Sequence, residues 1–189
     1  MMGVPIIFNR SDNAVSSYDW KDITQATGYI NFYPMRVNIH ASDTYILTCN
    51  SGITSGNTGL VSWAGNVGTD KDFDITFQKP SLIRGTALFS YYLDPAGAPN
   101  GGSVTINIYH VSTGAVETLL ATCTASTIGD DNAWYCVSMP LTTKKFAIGE
   151  KLRLNFIAGA GASAGTITLT VNPTSAYASV LMMPFRIDI

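Results

Sequence analysis

Val104-Thr105-Ile106-Asn107-Ile108 and Leu152-Arg153-Leu154-Asn155-Phe156 decide the fold. In each, apolar and polar residues alternate with a period of two, as in a strand with one face inward and one outward. Ile167-Thr168-Leu169-Thr170-Val171 and Phe185-Arg186-Ile187-Asp188-Ile189 repeat the pattern. Two faces that differ this cleanly belong to antiparallel sheets covered on one side. Turn chemistry fills the gaps: Asp94-Pro95, Pro99-Asn100-Gly101-Gly102, Ser112-Thr113-Gly114, Ile148-Gly149-Glu150 and Asn172-Pro173. Further strands are expected near 29–33, 44–49, 72–77, 82–93 and 116–124. About ten short strands predict an all-β protein, an antiparallel two-sheet β-sandwich of jelly-roll type.

The chain of 189 residues suits one domain of this kind. Two stretches stand apart from the alternation. Residues 1–27 are polar and irregular and are expected to form an N-terminal arm, leaving 28–189 as a single β-sandwich domain. Residues 50–69 are rich in Gly, Ser, Asn and Thr around Leu60, Val61 and Trp63, and read as a long loop. Charged residues make up 13%, about half the usual ~25%. The net charge of −2 disfavours a nucleic-acid binder, which needs a basic surface. No membrane span is expected, because glycines, asparagines and Pro173 break the uncharged stretch 154–185 into short pieces.

Chemistry is sparse. No nucleophile elbow, zinc-protease or phosphate-loop motif occurs. His40 and His110 read as structural, and Glu117 and Glu150 as solvent positions beside turns, so no enzyme and no cofactor are expected. The three cysteines form no metal-ligand spacing. A two-residue turn at Gly129-Asp130 would place Cys123 opposite Cys136, while a longer loop would separate them. Asp70, Asp72 and Asp74 are the candidate Ca²⁺ ligands. Oxygen donors at alternate positions suit that ion, but the EF-hand pattern fails, and a solvated strand entry is the plainer reading.

Aromatics remain. Trp134 reads as core packing. Trp63 has three open roles: an anchor for a partner, burial against its own sandwich, or a sugar-stacking surface. Leu60 beside it, with Tyr18 and Trp20 on the arm, completes the candidate partner-binding set. A carbohydrate-binding module would need aligned exposed aromatics. Trp63, Tyr91, Tyr92 and Tyr177 are the candidates, with only one of the adjacent Tyr91 and Tyr92 able to join.

Several patches resemble virion structural proteins of tailed bacteriophages. They are Ser17-Tyr18-Asp19-Trp20-Lys21-Asp22-Ile23, Gly28-Tyr29-Ile30-Asn31-Phe32-Tyr33, Asp72-Phe73-Asp74-Ile75-Thr76-Phe77, the stretch 80–85, Gly149-Glu150-Lys151-Leu152-Arg153-Leu154 and Met183-Pro184-Phe185-Arg186-Ile187-Asp188. The resemblance implies a non-enzymatic jelly-roll protein of the virion, assembled in the host cytoplasm. Its role would be capsid decoration or cement, binding the major capsid protein or other virion proteins and its own copies, as a homo-oligomer such as a trimer. The alternative is a carbohydrate-binding or receptor-binding module of a tail or fibre.

Overall fold

The computed structural model describes residues 27–39, 42–52, 59–64, 68–96, 102–128, 131–159 and 165–186. The expected arm, with Tyr18 and Trp20, lies outside them except for Thr27. So do His40 and the Gly129-Asp130 turn.

The described residues form strands and turns without a helix. The strands are β1 (Thr27–Ile39), β2 (Ser42–Thr48), β3 (Leu60–Ala64), β4 (Asp70–Thr76), β5 (Ser81–Ala96), β6 (Gly102–Val111), β7 (Glu117–Ile128), β8 (Ala133–Phe146), β9 (Lys151–Gly159), β10 (Thr166–Thr170) and β11 (Val180–Arg186). The all-β class read from the alternation is what the protein has. Bonded neighbours run β3-β10-β5-β11-β1-β2-β4-β9-β6-β7, with β8 pairing β5.

β1 is the joint of this arrangement. Thr27 to Phe32 pair with β11, and Tyr33 to Ile39 pair with β2. One group therefore holds β3, β10, β5, β8, β11 and the start of β1. The other holds the end of β1 with β2, β4, β9, β6 and β7. Pairing is antiparallel throughout, apart from one parallel contact between Ile46 of β2 and Asp74 of β4. The layout is consistent with a two-sheet β-sandwich.

Aromatic rings join the two groups. Phe156 of β9 meets Trp63 of β3 at 5.2 Å, Tyr91 of β5 at 5.6 Å and Phe89 of β5 at 6.4 Å between centroids. Phe146 of β8 stands edge-on to His110 of β6 at 4.9 Å. Ring pairs of this kind add roughly 0.5–1.5 kcal/mol each beyond their buried area. The alternation does its work here: Val104, Ile106 and Ile108 of β6 and Leu152, Leu154 and Phe156 of β9 are all buried.

Two local expectations are corrected. The 50–69 loop contains strand β3, in which Val61 and Trp63 point inward while Leu60, Ser62 and Ala64 point outward. β7 and β8 do not form a hairpin, because β7 pairs with β6 and β8 with β5. Cys123 lies opposite Ile106 and Cys136 opposite Ser90, and both thiols are free.

Candidate functional site: an exposed aromatic cluster

Trp134, expected in the core, stands on the surface. Along β8, Tyr135, Val137 and Met139 take the inward positions, and Met139 is buried. Parity then turns Trp134, Cys136 and Ser138 outward. Trp134 is 50% exposed. Its cross-strand partner is Tyr92 of β5, at 5.6 Å and 65° between ring planes. Tyr177 stacks on Tyr92 at 4.4 Å and 18°, and lies 6.3 Å from Trp134 at 54°. Tyr177 is itself 48% exposed.

Tyr177 is held by a tied-down connection between β10 and β11. Asn172 adopts a left-handed backbone (φ 80°), which Asn tolerates better than most residues. Its N–H donates to the Pro34 carbonyl, and its side-chain carbonyl accepts from the Arg36 N–H. Two successive turns follow, Ser175 N–H to the Asn172 carbonyl and Ala178 N–H to the Ser175 carbonyl. The buried Ser179 hydroxyl then donates to the Thr170 carbonyl at 2.6 Å. A ring mounted on such a turn is presented with little freedom.

The positions paired around the cluster carry almost no charge, Arg84 and Lys145 lying toward the far end of the β5–β8 ladder. Residues paired directly opposite share a face of a sheet. Ser90 faces Cys136 and Val180, Leu88 faces Ser138 and Met182, and Met182 faces Asn31. Thr168 of β10 lies opposite both Asp94 and Ser62, and the two hydroxyls approach to 3.0 Å. Asp94 is the one acid among these positions.

The expected site residues divide. Trp63 is 2% exposed, packed on Phe156, with its indole N–H donated to the Thr69 carbonyl. Burial in the protein's own core removes it as a partner anchor or sugar platform. Leu60 is 40% exposed at the start of β3, and Arg36, paired with Asp43, binds its carbonyl at 2.8 Å. Tyr91 is fully buried between Phe89 and Tyr135, its hydroxyl without a hydrogen-bond partner. Burial pushes its phenol up. Tyr92 and Tyr177 do come together, and Trp134 joins them.

Asp70, Asp72 and Asp74 share one face of β4, with Phe73 buried on the other. Their carboxylates are engaged from within the chain. β4 is no free edge, since it pairs along its length with β9, and β9 supplies the cation. Arg153 forks onto Asp74 at 2.7 and 2.8 Å, reaches Asp72 at 2.8 Å and meets Glu117 at 2.6 Å. Asn155 donates to Asp72 at 2.7 Å. Among the described residues no group of three acids, histidines or cysteines is placed to hold a metal ion. Asn155 continues into a buried polar rung, accepting from Asn107, which accepts from Thr122. Carboxylate contacts hold the Arg153 guanidinium protonated.

His110 and Glu150 are also structural. His110 is 4% exposed, and its Nε2 lies 2.9 Å from Glu150 Oε2, within ion-pair range but without hydrogen-bond alignment. Glu150 Oε2 accepts the Ala147 N–H at 2.7 Å. That bond, with His110 next, holds the carboxyl below its ordinary range. Glu150 is thus capped inside its turn rather than standing in solvent. Among the described residues no helix is long and apolar enough to cross a membrane.

No protein-family model matches the sequence, and no curated protein shows significant similarity to it. Solved structures do. A CocE/NonD family hydrolase from Staphylococcus aureus superposes with a TM-score of 0.60 at 12% identity, over 85% of this chain and 37% of that one. An alpha-amino acid ester hydrolase gives 0.61 at 9% identity, over 82% and 36%. The chain spans little more than a third of either protein, and at such identity the likeness shows the fold alone. A carbohydrate-binding module specific for non-crystalline cellulose aligns at a TM-score of 0.40, too loose to bear on function.

Proposed function

We propose that the protein is a non-enzymatic binding module that takes carbohydrate on its Trp134–Tyr92–Tyr177 cluster. One observation carries this: two half-exposed rings and a third between them, in mutual contact, with Asp94 the one charge among the positions paired around them. Aromatic faces left in water on a rigid sheet are an interaction surface rather than a packing device. The C–H faces of a sugar stack on such rings. Ser90, Ser138, Asp94 and Thr168 lie on the same face to hydrogen-bond its hydroxyls. A glycan array followed by calorimetry tests the reading. Binding should weaken about fivefold or more on Trp134→Ala with the fold intact, and an array with no hit would refute it.

A second reading keeps the virion role implied by the resemblance, in which this face is covered by copies of the chain or by a capsid protein. The uncharged breadth of the face from Asn31 to Ser138 favours it, since such a surface is cheap to desolvate. Saturable binding of purified protein to empty capsids, abolished by Met182→Lys, would support it.

A further inference from the structure

Resting on the carbohydrate reading, we infer that the ligand is a neutral, bent glycan chain whose successive ring faces are inclined to one another, not a flat ribbon. The two rings that face solvent, Trp134 and Tyr177, are 6.3 Å apart with planes 54° to each other. Tyr92 offers no third surface parallel to both, since Tyr177 lies over one of its faces and Trp134 stands at 65° to it. A platform for a flat ribbon needs rings close to coplanar. Here a ribbon with parallel ring faces reaches one ring and leaves the other bare. A chain that turns at each linkage lays consecutive sugars on both.

The angle belongs to the frame. Trp134 and Tyr92 are register partners in a β5–β8 ladder that runs from Ser81 to Leu93. Tyr177 rides on the turn locked by Asn172 and Ser179. Neutrality follows from the immediate surroundings, where Asp94 is the one charge among the positions paired beside the cluster and would repel uronic or sulfated sugars, while Arg84 and Lys145 lie toward the far end of the β5–β8 ladder.

The test uses the full chain with three neutral hexasaccharides, maltohexaose (α-1,4), laminarihexaose (β-1,3) and cellohexaose (β-1,4), followed by tryptophan fluorescence and calorimetry. At least one of the first two should bind about fivefold or more tighter than cellohexaose, the difference one aromatic contact makes. Trp134→Ala and Tyr177→Ala should each weaken that binding about as much, and Trp134→Phe should restore most of it. Cellohexaose binding as tightly as both others overturns the inference while leaving the carbohydrate reading in place. So does failure of maltohexaose and laminarihexaose when other sugars on an array bind. An array blank for every glycan sinks the reading itself.

Discussion

Trp63 and Trp134 carry the same side chain into opposite circumstances. Trp63 fills the space between β3 and β9 against Phe156 and satisfies its indole N–H on Thr69. Trp63→Ala opens a large cavity and should cost about 3–5 kcal/mol of stability. Trp134→Ala removes a half-exposed ring and should cost under about 1 kcal/mol while weakening sugar binding about fivefold or more. Urea unfolding of the two variants beside the parent checks the contrast. Tyr91 makes a finer case. Its ring is stacked between Phe89 and Tyr135, but its hydroxyl is buried without a partner. Tyr91→Phe keeps the stack and deletes the unsatisfied group, so it should stabilise the protein by about 1 kcal/mol. A loss of stability in the same unfolding experiment would show that the hydroxyl has a partner after all.

At the level of elements, strands were legible wherever alternation was strict. β6, β9 and β10 fall where Val104-Thr105-Ile106, Leu152-Arg153-Leu154 and Ile167-Thr168-Leu169 place them. β3 was hidden because Gly, Ser and Asn surround it, although Val61 and Trp63 already sit two apart. Residue type places Trp134 in the core, whereas its opposite parity to Tyr135, Val137 and Met139 points it outward. Other features could not be read locally. The choice of β5 over β7 as partner of β8 is a long-range pairing, and the meeting of Trp134 with Tyr92 depends on it. A turn position such as Glu150 reads as solvent because turns are wet, yet the β8–β9 turn folds it back. Gly149, with φ 87°, donates its N–H to the Phe77 carbonyl, and Ala147 N–H caps the Glu150 carboxylate. A carboxyl lowered in the folded state contributes stability that is full above its unfolded value. That stability is lost as pH falls from there through the folded one. Glu150→Gln should therefore be less stable than the parent at neutral pH, with the gap closing as pH falls through and below the ordinary carboxylate range and the parent carboxylate protonates. Unfolding free energies across that range decide it, and a gap independent of pH would assign the loss to geometry instead of charge.

Over the whole molecule, the two outer faces differ in kind. One, on β5, β8, β10 and β11, is aromatic and hydroxylated around Trp134, with Asp94 the one charge paired beside that cluster and Arg84 and Lys145 toward the far end. The other gathers Asp70, Asp72, Asp74, Lys151 and Arg153 on β4 and β9, with Glu117 at the start of β7. Salt should tell them apart. Between about 0.1 M and 1 M ionic strength the screening length falls from about 10 Å to about 3 Å. Stacking and hydrogen bonding at the aromatic cluster have no long-range charge to screen. Sugar affinity measured by calorimetry should therefore change by less than about twofold across that range. A ligand seated on the carboxylate–guanidinium face would meet fixed charges and respond steeply. A fall in affinity of tenfold or more would move the binding site to β4 and β9, and Trp134→Ala would then leave it untouched.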